Sequence, residues 1–145
     1  MDTGAHILKR EFPQLTIVIN GGLRSDEEIA EQLRHVDGVM VGRQAYHEPW
    51  QMAAWDQQFF GVPGPALSRE QVEEDWVRYL EQVQDSGRPW AQAMRHALGL
   101  YNGLPGARRW RQVWSDHRLK ALRASEVASQ ALTAREGPVS LARAA

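Results

Sequence analysis

The stretch that decides the fold runs from Ile17 to Tyr46. It reads Ile17-Val18-Ile19-Asn20-Gly21-Gly22, then a helix-sized segment, then Gly38-Val39-Met40-Val41-Gly42-Arg43-Gln44-Ala45-Tyr46. Each half is a short apolar run that ends in a glycine turn. Leu15 to Ile19 is β-branched and almost wholly apolar, the pattern of a strand buried on both faces of a parallel sheet. Ser25 then predicts an N-cap, and Glu28, three residues on, completes a capping box. Ile29, Ala30 and Leu33 give that helix its apolar stripe. Val36 to Val41 predicts the second strand, and Gln44 to Trp55 a second helix with Pro49 near its start. Strand, helix, strand, helix with short connections implies parallel strands and right-handed crossovers. Two strands do not make a stable parallel sheet alone, so residues 12 to 55 read as an incomplete part.

Outward from this stretch the character changes. Residues 4 to 11 read as the tail of a helix, ended by Phe12-Pro13. Gly61-Val62-Pro63-Gly64-Pro65 is the clearest linker, placed at residues 61–67. No strand pattern follows it. Ser68 predicts the cap of a helix from Arg69 to about Gln84, with Val72, Trp76, Leu80 and Val83 on one apolar face. Further helices are expected over Trp90 to Leu100, Ala107 to His117 and Leu119 to Arg135. The helical part thus spans 68–136, and 137–145 reads as a disordered tail.

Bulk properties exclude several classes. The 145 residues contain no cysteine, which removes disulfides, thiolate metal sites and a cysteine nucleophile from within them. No apolar run approaches the ~18 residues of a membrane span. Met1 to His6 has no basic or apolar signal region, so a cytoplasmic protein is expected. The net charge of −1 averages unlike regions. Between Arg88 and Arg123 seven arginines and one lysine face a single acid, Asp116, a net +7. The remaining residues carry 9 basic and 17 acidic side chains, a net −8. Such asymmetry points to a polyanionic partner for one face.

Two constellations carry chemistry. Gly21-Gly22 after a buried strand lets backbone approach a ligand closely, and the helix beyond offers unpaired N–H groups. Gly42-Arg43 repeats the corner on the next strand and adds a guanidinium, which grips phosphate with paired hydrogen bonds. Either corner alone also reads as an ordinary tight turn. Both on successive strands favour one shared phosphate, a device of the last strands of (β/α)8 barrels. His47 and Glu48 lack a nearby catalytic partner in sequence and read as surface residues. The second constellation is Gly106-Ala107-Arg108-Arg109-Trp110-Arg111, with Arg95 on the preceding helix. Cations at a helix start oppose its dipole, so an outside anion such as a nucleic-acid backbone is expected. Trp110 and Trp114 read as core aromatics.

Three blocks together, Thr16 to Gly22, His35 to Tyr46 and His96 to Arg111, resemble the C-terminal portion of the tRNA-dihydrouridine synthases, specifically the A subfamily. The resemblance runs from about residue 7 to about residue 133. It implies the last two β/α units of an FMN-binding (β/α)8 TIM barrel at residues 1–60, followed by a helical bundle domain that binds tRNA. It implies reduction of a D-loop uridine, of the 20/20a type, to 5,6-dihydrouridine by NADPH through FMN. By the family pattern Asn20, Gly21, Gly22, Gly42 and Arg43 hold the FMN phosphate. Arg95, Arg108, Arg109 and Arg111 would meet tRNA. No metal is implied. The family's catalytic acid is a cysteine, absent here, and its flavin-site lysine and histidine belong to earlier strands. The chain alone is therefore expected to be inactive, to need a complementing N-terminal barrel segment, and to expose apolar faces that make residues 1–60 poorly soluble in isolation. The alternative is a non-catalytic RNA-binding helical module with a vestigial β/α extension. A fragment of a different phosphate-binding β/α enzyme would leave the basic helical part unexplained.

Overall fold

The computed structural model describes residues 4–137 of the chain. The expected disordered tail lies outside the described residues apart from Gly137. The chain forms two compact units, Met1–Ala66 and Leu67–Ala145.

The first unit begins with helix α1 (Gly4–Glu11), followed by strand β1 (Val18–Asn20), helix α2 (Asp26–Leu33) and strand β2 (Gly38–Met40). Helix α3 (Arg43–His47), a 3-10 turn (Pro49–Ala54) and helix α4 (Trp55–Phe60) complete it. The strands pair in parallel, Val18 opposite Gly38 and Asn20 opposite Met40. Both are shorter than the apolar runs that encode them, because each has one neighbour to bond with. For the same reason β1 is not buried on both faces as its composition predicts. Val18 is 56% exposed, and Leu15, in the apolar run that leads into the strand, 48%.

Local chemistry sets the element ends. Ser25 caps α2 and forms the expected reciprocal box with Glu28. The single helix expected over Gln44–Trp55 is broken at Glu48 (φ −126°, ψ 65°), because Pro49 bars helical backbone at the residue before it. Lys9 binds the entry to the sheet. Its Nζ donates to the carbonyls of Pro13 (2.9 Å) and Leu15 (2.8 Å) and pairs with Asp37 (2.8 Å). The Asp37 carboxylate also accepts the Ile17 N–H at 2.8 Å. That backbone N–H, and then Lys9, hold the Asp37 carboxyl below the usual range. Asp26 fastens α2 to the following segment, accepting from Gln51 Nε2 and Trp55 Nε1, both at 2.9 Å.

The second unit is all helical: α5 (Arg69–Asp85), α6 (Trp90–Met94), α7 (Ala107–Ser115), a 3-10 turn (His117–Leu119) and α8 (Ala124–Glu136). Ser68 caps α5 with a box to Gln71. The helix expected over Trp90–Leu100 stops at Met94. Residues 95–106 instead turn through i→i+3 bonds such as Ala97 N–H to Met94 and Asn102 N–H to Gly99. Arg69 Nε donates to the Leu100 carbonyl at 2.8 Å, tying this turn segment to the start of α5. Leu80, Trp90, Met94, Tyr101, Trp110 and Val127 fill the core. Within it the Trp110 and Trp114 rings meet edge to face at 6.1 Å.

Candidate functional site

The first unit contains an open groove of about 550 Å³ at the C-terminal ends of β1 and β2. All five predicted residues of the two corners line it: Asn20, Gly21, Gly22, Gly42 and Arg43. The parallel register brings them together, since Asn20 opposite Met40 sets the two turns side by side. Gly21 (φ 124°) and Gly22 (φ 78°) adopt backbone that L side chains rarely reach. An added Cβ would meet no heavy atom within 4 Å at either position, so conformation and not crowding calls for glycine there. The Arg43 guanidinium is exposed and makes no hydrogen bond or ion pair among the described residues. Among the groove residues that the sequence did not assign to the site are two basic ones, Arg24 and His47. Arg24 follows the glycine pair by two positions, and nothing in its local sequence singles it out. His47 is exposed, as expected, but it borders the groove. Among the described residues no acid lines the groove, although the 66 residues of this unit carry nine acids and five basic side chains.

In the second unit the four predicted arginines fall into different situations. Arg108 is exposed at the start of α7 and has no partner among the described residues. Arg95 is exposed, and its Nε donates to His96 Nε2 at 3.1 Å. Arg109 reaches the end of α8, donating to the carbonyls of Ala134 (2.6 Å) and Arg135 (2.9 Å). That capping is an internal reason for one cation at the α7 start, where sequence suggested only an outside anion. Arg111 donates to Asn102 Oδ1 and is half-buried.

Below this surface lies a polar network that sequence reasoning missed. The Glu73 carboxylate accepts from Tyr101 Oη (2.7 Å) and Trp110 Nε1 (2.6 Å). Both rings are fully buried. The Arg135 guanidinium stacks 4.2 Å from the centre of the Tyr101 ring and pairs with Glu70 at 3.2 Å. Burial, and next the bond to Glu73, push the Tyr101 phenol above its usual range. A signal existed in the spacing: Glu73 lies on the same helical stripe as Trp76, Leu80 and Val83. The network fixes the aromatic base on which Arg108 and Arg111 are carried.

Comparison with known proteins fits these observations. The family model for dihydrouridine synthase (Dus) matches residues 5–135, and the chain belongs to the dihydrouridine synthase family. Over 128 residues it is 44% identical to the tRNA-dihydrouridine(20/20a) synthase of Vibrio vulnificus (strain CMCP6), covering 88% of this chain and 39% of that protein. The enzymes of the same name from Salmonella typhi and Pseudomonas aeruginosa are each 45% identical over 125 residues, or 86% of this chain and 38% of theirs. The chain thus spans about two fifths of the length of the curated relatives it matches. Among the described residues no helix is long and apolar enough to cross a membrane.

Proposed function

We propose that this chain is part of a flavin-dependent tRNA-dihydrouridine synthase of the 20/20a type. It contributes the phosphate end of the flavin site and a helical face for tRNA. The observation that carries this reading is the groove shared by the two glycine corners. Its residues fit a phosphate group: two glycines expose backbone, Arg43 is free to donate, and no acid among the described residues lines the groove. Asn20 supplies a side-chain amide for further hydrogen bonds. The chemistry that FMN supplies when bound is hydride transfer, with NADPH as reductant. The chain's own residues bind and orient, and they add no thiol acid. Turnover is therefore proposed to require residues beyond these 145.

The exposed faces of β1 support the same reading. Val18 belongs to a run with the composition of two-sided burial but is half-exposed. We read β1 and β2 as barrel strands whose outer neighbours are further β/α units. The uracil ring of the substrate would meet the flavin over those units and not over this chain.

On the helical unit, Arg95 and Arg108 are the exposed groups offered to tRNA phosphates. Arg109 and Arg111 add charge from fixed positions, since each guanidinium is already tethered. In the intracellular setting of tRNA modification the protein would be cytoplasmic.

Equilibrium dialysis of the 145-residue chain against FMN and riboflavin tests the flavin reading. Retention of FMN at least tenfold above riboflavin is expected, because only FMN carries the phosphate. Equal retention of the two would contradict it. For tRNA, an Arg108→Ala, Arg111→Ala double variant should flatten the dependence of affinity on salt by one to two ions. A slope equal to that of the parent removes these residues from the interface.

A further inference from the structure

We propose that Arg24 is a second guanidinium for the bound phosphate, supplied by the first corner as Arg43 is by the second. The proposal rests on the reading of the groove as a phosphate site. Three observations carry it. Arg24 lines the groove together with Arg43 and the two glycines. Its backbone is pinned, because the Arg24 N–H donates to Glu28 Oε2 at 2.7 Å and the Ser25 N–H donates to the same oxygen at 3.3 Å. These bonds fix where the side chain starts, and they engage the Glu28 carboxylate with backbone amides. The Arg24 guanidinium itself is exposed and has no partner among the described residues.

The charge balance makes this placement selective. A phosphate monoester carries about −1.5 to −2 charges near neutral pH. One arginine leaves about a third to a half of that charge unmatched; two arginines without a competing acid match it. Each guanidinium can offer two N–H groups in a plane to phosphate oxygens, which an ammonium cannot reproduce. The groove is therefore selective for a terminal, doubly charged phosphate over a neutral or singly charged group.

Inorganic phosphate is the probe, followed through the amide resonances of Gly21 and Gly22 in the 145-residue chain. Four proteins are compared: the parent, Arg24→Ala, Arg24→Lys and Arg34→Ala. Arg34 sits at the end of α2, paired with Glu31, and does not line the groove. Its substitution removes the same charge from the opposite flank of α2. The parent should show saturable shifts, Arg24→Ala should bind five- to tenfold more weakly, and Arg24→Lys should lie between them. Arg34→Ala should match the parent. The dispersion of the remaining resonances reports that each variant is folded. If Arg24→Ala binds as the parent does, the Arg24 assignment fails while the phosphate groove stands. Equal weakening in Arg24→Ala and Arg34→Ala would reduce the effect to general charge and also overturn it. No shift at either glycine in the parent would remove the phosphate reading itself, and Arg24 with it.

Discussion

Gly106, the cap of α7, lies directly against the backbone carbonyl of Arg135 near the end of α8. A Cβ at Gly106 would overlap that carbonyl, and its φ of 79° is one that side-chain-bearing residues rarely adopt. The start of one helix is thereby locked onto the end of another, with Arg109 donating to the same Arg135 carbonyl. Gly106→Ala should destabilise the helical unit by at least about 2–3 kcal/mol, from left-handed backbone strain plus displacement of α8. Urea unfolding followed by far-UV circular dichroism checks this. A change below about 0.5 kcal/mol, the range of an ordinary surface substitution, would show that the two helix ends are not in contact.

The Glu73 carboxylate is the shared acceptor of two buried donors, Tyr101 and Trp110. Glu73→Ala strands both and should cost about 2–4 kcal/mol. Tyr101→Phe removes a donor without stranding one and should cost about 1 kcal/mol. The near-UV dichroism of the tryptophan cluster should weaken in the first variant and persist in the second. The pH dependence follows from the same contacts. Burial and Glu73 raise the Tyr101 phenol above its ordinary value of 10.0. Its contribution to stability is complete below that ordinary value and is lost as pH rises through the folded-state value.

Asp116 behaves in the opposite sense. Its carboxylate caps the short 3-10 turn, accepting from the Arg118 backbone N–H at 2.9 Å, and also pairs with the Arg118 guanidinium. The guanidinium first, and then the backbone N–H, bring the carboxyl from 3.8 down to about 2. A depressed folded-state value gives a contribution that is present above about pH 4 and disappears as pH falls through about 2. Carboxyl carbon shifts recorded across acid pH should therefore place Asp116 low in the parent. Arg118→Ala should return it toward 3.8; an unmoved midpoint would mean that the pair does not form in solution.

Asp26 holds the segment after the second corner through Gln51 and Trp55. Asp26→Ala should speed hydrogen exchange at the Trp55 indole N–H by about tenfold or more, equivalent to about 1.4 kcal/mol of lost protection. Exchange as slow as in the parent would show that another group holds Trp55.

These relationships separate what sequence encodes locally from what only folding supplies. Ser25 with Glu28 and Ser68 with Gln71 were readable because a capping box closes over three residues. The five groove residues were readable because two strand-to-helix corners in succession must lie side by side in a parallel pair. Glu73 meets Tyr101 and Trp110 across 28 and 37 positions, a distance at which spacing alone names no partner. The helix expected at Trp90–Leu100 instead stops at Met94 and continues as i→i+3 turns, which the apolar spacing alone does not distinguish from a helix. Arg109 was legible as a cation at a helix start but not as a cap for α8, because the helix end it serves lies 25 residues on. Arg24 was passed over because its side chain gains meaning only when the second corner closes the groove.

Amide-resolved NMR of the 145-residue chain titrated with FMN tests most directly whether the two corners form one phosphate site. Gly21 and Gly22 on the first corner, and Gly42 and Arg43 on the second, should shift together along a single binding curve. Inorganic phosphate should reproduce those shifts and compete with FMN, while riboflavin should not. Shifts confined to one corner, or scattered away from both, would contradict the shared site.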